Sequence, residues 1–411
     1  MQLANFPLSF IALALAAAGT AHADDAQSLT EALTKGDPNL GFRYRLELVD
    51  QDGLAEDATA STLRTRLGYR TGTFKGFSAY LEFEDVTVVG ETTYNDTING
   101  KTRYPVVADP DGTELNQAYL TYTNGSGLTL QAGRQGINLG TQRFVGTVGW
   151  RQNDQTFDAV TGIFQNGNLT AVAAHVWNVN RVFSDRHPLG SLETATEVLQ
   201  LSYKASPALE LTAFGLLIDL DTDTPAVNAA LSSQTYGLRA AGAAEFAAGT
   251  QFTYSADYAR QYDYGDAIVD YSTDYYAIEG ALTVSGITAT AGYEVLAAAD
   301  GMAFQTPLAT LHKFNGWADR FLTTPVGGLT DFYAGAATKI DTGALAGLAL
   351  QVTWHTFAAE DGGADYGDEI DWQISKKLGK SLSLALKGVH YRTGGFATDT
   401  DKVWLTLGAE F

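Results

Sequence analysis

The chain has no cysteine and, among its 411 residues, only two methionines and nine prolines. Without thiols there is no disulfide framework and no thiolate metal site. Positive charge is scarce: 26 Lys and Arg stand against 47 Asp and Glu, a formal net charge of −21. That balance excludes the basic face a nucleic-acid binder needs. Beyond residue 18 no stretch of about 18 apolar residues occurs, so the chain has no candidate membrane helix. The length allows two or three soluble domains or one large barrel.

What is present begins with a short apolar run, FPLSFIALALAAA (6–18), followed by Ala21-His22-Ala23 and then Asp24-Asp25. A short apolar core and an A-x-A site read as a secretory signal peptide. Its n-region has no Lys or Arg, so the free amine supplies the positive charge. The expectation is removal of residues 1–23, a short N-terminal periplasmic segment over 24–39, and a membrane barrel over 40–411. No cysteine follows the cleavage site, so a lipoprotein anchor is excluded.

The rest of the chain alternates with period two. Leu63, Thr65, Leu67 and Tyr69 share one face, opposed by Arg64, Arg66, Gly68 and Arg70. Phe42, Tyr44, Leu46 and Leu48 oppose Arg43, Arg45 and Glu47 in the same way. Val403, Leu405, Leu407, Ala409 and Phe411 form the apolar face of the last segment. A strand sorts residues like this because successive side chains point to opposite faces. About 18 such segments of membrane-strand length can be drawn. They start near residues 40, 62, 76, 114, 127, 155, 168, 194, 209, 234, 250, 272, 286, 328, 344, 367, 382 and 402. Even-to-odd joints are short and rich in Gly, Asn and Ser; odd-to-even joints are long and acidic. A soluble sandwich, jelly roll or propeller would also alternate. It would not keep short turns on one edge and long loops on the other. The expected fold is therefore all-β: a transmembrane antiparallel up-and-down barrel with short periplasmic turns and long extracellular loops. A barrel this wide is expected to hold an aqueous lumen.

The polar faces suggest what passes. Arg43, Arg45, Arg64, Arg66 and Arg70 lie on the first two segments, followed by Arg134, Arg143, Arg151, Arg239, Arg260, Lys387 and Arg392. Guanidinium binds carboxylates in a two-pronged fork and stays charged, which suits an anion track. The plainer alternative is a ladder of Arg–Glu pairs bracing a wet wall. Two long loops, 134–155 and 296–327, can fold inward, with Phe314, Trp317 and Arg320 as constriction candidates. The aromatics of the second loop either stack on sugars or anchor it to the wall. Acidic residues crowd the loops: Asp50, Asp52, Glu56, Asp57, Asp109, Asp111, Asp219, Asp221, Asp223, Asp263, Asp266, Asp270, Asp361, Asp365 and Asp368. They share divalent cations with lipopolysaccharide or keep the rim soluble. The Asp219–Asp223 run lacks the Gly and distal Glu of an EF-hand. No G-x-S-x-G occurs, no phosphate loop occurs, and the histidines are scattered. No enzyme activity, cofactor or metal is expected. No strand carries a signature separating a monomer from a trimer.

Two passages carry a resemblance. RQGINLGTQRFVG (134–146), continuing into GWRQNDQTFDA (149–159), is similar to the alginate export family of outer-membrane porins; so is HKFNGWADRFL (312–322), followed by GLTDFY (328–333). The resemblance implies an 18-strand outer-membrane barrel and an arginine-lined constriction conducting an anionic uronate polymer. Arg134, Arg143 and Arg151 fall in the matched passage. This chain is shorter than the alginate exporters and more acidic. The expected function is passive diffusion of anionic solutes, uronate oligosaccharides among them, across the Gram-negative outer membrane. A general or cation-preferring nutrient porin is the alternative within the class, and a barrel adhesin or hydrolase the one outside it.

Overall fold

The structure is a computed structural model that describes residues 25–221, 231–265, 267 and 269–411. The leader expected over 1–23, Asp223 and Asp266 lie outside these residues.

Among the described residues, eighteen long strands follow a short helix, α1 (Leu29–Thr34). They begin with β1 (Asp37–Gln51), β2 (Ala58–Arg70), β3 (Phe77–Val88), β4 (Gly112–Thr123), β5 (Leu128–Gln135) and β6 (Thr156–Asn166). Next come β7 (Leu169–Asn180), β8 (Ser191–Ser206), β9 (Leu209–Ile218), β10 (Ser233–Ala247), β11 (Thr250–Asp263) and β12 (Ser272–Val284). The last six are β13 (Ile287–Leu296), β14 (Leu329–Lys339), β15 (Leu348–Ala358), β16 (Asp365–Leu378), β17 (Leu382–Thr393) and β18 (Thr400–Glu410). Each pairs antiparallel with its sequence neighbours, and β1 also pairs with β18 from Gly41↔Glu410 to Gln51↔Thr400, which closes the barrel. Closure removes both sheet edges, so every strand finds backbone partners without water.

No strand starts more than four residues from its sequence-based position. One of the largest displacements is β15, expected near Ala344 and found from Leu348. Ala344, Leu345 and Ala346 sit in the turn between positive-φ Gly343 and Gly347, and the Gly347 N–H closes that turn on the Ile340 carbonyl. The start of β1 and the C-terminal Phe411 lie on the short-turn edge, where Leu40 and Phe411 exchange backbone hydrogen bonds.

The outward face is apolar. Leu67, Leu120, Leu238 and Ile278 are among its most exposed side chains. The inward face is largely polar along its length, and toward the long loops buried apolar side chains join its buried charged and polar ones. Val198, Leu216, Ile218, Phe357 and Tyr391, all on inward rows near the long-loop edge, are buried. They are buried because loops descend onto them, so that end of the lumen holds packed side chains in place of the open aqueous bore expected of so wide a barrel.

Candidate channel constriction

Two loops fold into the lumen: residues 136–155, between β5 and β6, and residues 297–328, between β13 and β14. They meet in a parallel bridge of Val145 with Leu308. The Gly146 N–H donates to the Leu308 carbonyl at 2.9 Å, and the Thr310 N–H to the Gln142 carbonyl at 3.0 Å. Gln155 Nε2 donates to the carbonyls of Gly146 and Leu308, at 2.9 and 3.2 Å. Arg143 crosses from the first loop to the second. Its guanidinium reaches Glu294 of β13 at 2.8 Å, Thr306 at 3.0 Å and Asn315 at 3.2 Å, and lies 4.8 Å over the Phe314 ring. The loops therefore form one body across the lumen.

Each loop is tied to a different wall. The first meets β1, β2 and β3. Arg45 donates to the Trp150 carbonyl at 2.5 Å, Arg151 to Glu47 at 2.7 Å, and Gln152 to the Thr62 hydroxyl at 2.8 Å. Arg66 pairs with Asp154 at 2.5 Å and with Glu84, while Arg64 lies 3.8 Å from Asp154 and 3.9 Å from Glu84. The second loop meets β14, β16, β17, β18 and the far end of β1. The Ala318 N–H donates to Glu369 at 2.9 Å, Asn315 to Asp331 at 3.2 Å, Lys402 to Asp319 at 3.3 Å and Arg320 to Gln51 at 3.2 Å. Phe321 packs on Phe357, Tyr366, Tyr391 and Phe396, the wall-anchoring arrangement. Trp317 covers Lys387, its ring centroid 3.4 Å from the ammonium nitrogen.

The sequence-selected cations separate into three groups. Arg43, Arg45, Arg64, Arg66, Arg143 and Arg151 converge on the first loop. Arg70 lies at the short-turn mouth, over the Tyr80 ring and hydrogen-bonded to the Tyr119 hydroxyl, and Arg239 faces inward, paired with Asp257. Arg134, Arg260 and Arg392 point outward, against the expectation of pore lining. Arg134 shares its cross-strand row with exposed Leu81 through Ala118, and it pairs with Asp158 at 2.8 Å. Arg260 lies between inward Ala259 and Gln261 and pairs with Asp274 at 3.6 Å. Arg392 follows inward Tyr391 and pairs with Asp401 at 3.0 Å. Period two sets all three outside, and the three ion pairs lie at the long-loop ends of their strands, where headgroups replace hydrocarbon.

Charge within the lumen is divided. On the β1–β3 side, Arg43 and Arg45 form no ion pair among the described residues. Arg43 donates to the Gln152 side chain at 2.9 Å and to the carbonyls of Gly149, at 2.8 Å, and Arg151. On β13, β14 and β16, buried Glu294, Asp331, Glu369 and Asp371 accompany His355 of β15, whose Nδ1 lies 2.9 Å from Asp331. Within the second loop, burial pushes the His312 imidazole down to about 3, and it faces Asp319 at 2.7 Å. Burial alone would raise Asp319, but His312, Lys402 and Arg151 hold it well below the usual carboxylate range. Sequence reasoning did not single out Glu294 or Glu369, whose signal was inward parity near the long-loop edge. Trp150 and His312 stand in the two matched passages without a role, and Trp404 reads from the sequence as a strand-end aromatic facing either lipid headgroups or the lumen.

A closed 18-strand barrel with an apolar outside, a charged lumen and inward loops is an outer-membrane porin. The chain belongs to the alginate export family, whose model matches residues 34–283. Among solved structures it is similar to Pseudomonas aeruginosa OccK9 (OpdG), with 15% identity, a TM-score of 0.72, and coverage of 92% of this chain and 99% of that one. P. aeruginosa OccK3 (OpdO) gives 14% identity, a TM-score of 0.70 and coverage of 94% and 98%. Acinetobacter baumannii OccAB4 gives 14%, 0.70, and 93% and 99%. At such identities the likeness speaks for the barrel fold. A search of curated proteins returns no match.

Proposed function

We propose that the barrel is a passive porin whose constriction favours anionic solutes, with uronate oligosaccharides as the substrate class that the family name suggests. The observation that carries this reading is the arginine excess on the β1–β3 wall. Arg43, Arg45, Arg64 and Arg66 converge there: Arg64 and Arg66 share Glu84 and Asp154, while Arg43 and Arg45 donate to neutral acceptors and form no ion pair among the described residues. Uncompensated guanidinium in a narrow, low-dielectric passage raises the local anion concentration. The mature chain is read as beginning after Ala23, with its outer rim against lipopolysaccharide.

The test is a planar bilayer under a KCl gradient, with oligo-uronates then added. An anion-selective reversal potential with uronate block is expected, and Arg43→Gln and Arg64→Ala should each weaken both. A cation-selective current without block would sink the anion reading. It would favour the second one, a cation-preferring nutrient porin, for which the specific observation is the buried acidic cluster Glu294, Asp331, Glu369 and Asp371 on β13, β14 and β16.

A further inference from the structure

On the seam of β17, β18 and β1, both loops touch the same wall side chain. Lys387 projects inward from β17 and is only 5% exposed. Its ammonium nitrogen sits 3.9 Å from the ring centroid of Trp150, which belongs to the first loop. On another side it lies 3.4 Å from the ring centroid of Trp317, which belongs to the second. Trp404 of β18 contributes a third ring at 5.5 Å. The same nitrogen donates to Nε2 of His312 at 2.8 Å. His312 stacks flat on Trp150, with centroids 4.2 Å apart and planes 7° apart, and holds Asp319 through its other nitrogen. The opposite side of Trp150 carries Arg45 of β1, 4.1 Å from the ring centroid. Seven residues thus form a knot over the β17–β18–β1 seam.

We propose that Lys387 is the pin of the constriction. It docks both inward loops on the seam, and so sets the width of the passage. The physical argument has three parts. A buried ammonium needs compensation, and here two indole faces and an imidazole nitrogen provide it. Both indoles and the imidazole come from the loops, so these contacts form only when both loops are docked; the wall alone offers the ammonium the charge of Asp371 and Glu369 on β16 and the more distant Trp404 ring. Glu294 of β13 also meets both loops, through Arg143 and Asn315, but on the seam of β17, β18 and β1 Lys387 is the wall side chain that touches an aromatic ring of each loop. Lys387 is then a positioning residue, shielded from solute, although its charge and its inward direction resemble those of a pore-lining cation. The role is independent of which ion the lumen prefers.

The experiment compares wild-type protein with Lys387→Met and Trp317→Ala in planar bilayers, using barrels verified by heat-modifiable gel mobility. Methionine keeps the length and the apolar stem but removes the charge and the donor. Single-channel conductance is expected to rise by about twofold or more in each variant, because the narrowest section limits current. Open-channel noise should rise with it. Amide exchange over residues 305–320 should accelerate, while exchange in the strands stays unchanged. The reversal potential should move far less than in Arg43→Gln, which separates this role from the selectivity reading. Wild-type conductance and exchange in a folded Lys387→Met barrel would overturn the proposal. If that variant does not fold, Trp317→Ala decides on the same two readouts. Equal exchange acceleration in strands and loops would also overturn it, since that marks general destabilisation.

Discussion

At the residue scale, cations of the same type do different work according to burial. Arg143 is buried, and its guanidinium is shared among Glu294, Thr306 and Asn315. Removing one partner of a buried pair leaves the other charge uncompensated, at a cost of roughly 3–5 kcal/mol. Arg134, paired with Asp158 on the outer rim, is partly solvated, and such a pair contributes about 1 kcal/mol or less. Urea unfolding in lipid vesicles should therefore separate Arg143→Met from Arg134→Ala by several-fold in free energy, and Arg134→Ala should leave ion selectivity unchanged. A pH dependence also belongs at this scale. His312 is held down to about 3 by burial, against an ordinary value of 6.5. The undocked loop takes up a proton that the docked loop refuses, so docking weakens as pH falls from about 6.5 toward 3. Asp319, held low by His312, Lys402 and Arg151, acts in the same direction once pH drops below about 3.9, its ordinary value. Amide exchange over residues 305–320 should be faster at pH 4.5 than at pH 7.5 after correction for intrinsic rates. Slower or equal exchange would contradict this account.

At the scale of elements, the second loop depends on one sharp turn. Gly316 has φ +81°, and a Cβ there would meet the Glu369 carboxylate at 2.5 Å. The turn presents the Ala318 N–H to that same carboxylate. Gly316→Ala adds both backbone strain and a clash, together about 1–3 kcal/mol, which falls on loop docking and not on strand pairing. The expected result is raised conductance with unchanged heat-modifiable mobility. How legible the elements were follows from the same physics. Strand positions were readable because period two survives wherever one face meets lipid. The β14–β15 turn was displaced because Ala344, Leu345 and Ala346 continue an apolar look past the point where Gly343 and Gly347 reverse the chain. Arg260 and Arg392 were placed by charge type, while the parity of Gln261 and Tyr391, both buried inside, put them outward.

At the scale of the whole molecule, the barrel inverts the usual arrangement: apolar residues cover the outside, and the packed interior is a pair of folded loops. Ile278 lies at the middle of β12 and is 62% exposed to its surroundings. If those surroundings are hydrocarbon, Ile278→Arg costs about 2–4 kcal/mol of folding into vesicles. Ala281→Arg on the inward row of the same strand should cost far less. Equal effects would argue against lipid on the outer face. The three outward ion pairs Arg134–Asp158, Arg260–Asp274 and Arg392–Asp401 sit at the long-loop edge and mark where that hydrocarbon ends.

The sequence by itself determined the strands, their number, the edge that carries each kind of connection and the face that meets lipid. These follow from local alternation and turn chemistry, which act over a few residues and need no knowledge of distant partners. It also marked the two loops long enough to turn inward. Only the tertiary structure decided what those loops do. Arg143 meets Glu294 across 151 residues of chain, and Trp150 meets His312 and Lys387 across greater separations still. No local pattern encodes such contacts. They exist because closing the barrel brings β13, β17 and β1 around one lumen, where buried cations must find carboxylates, carbonyls or aromatic faces.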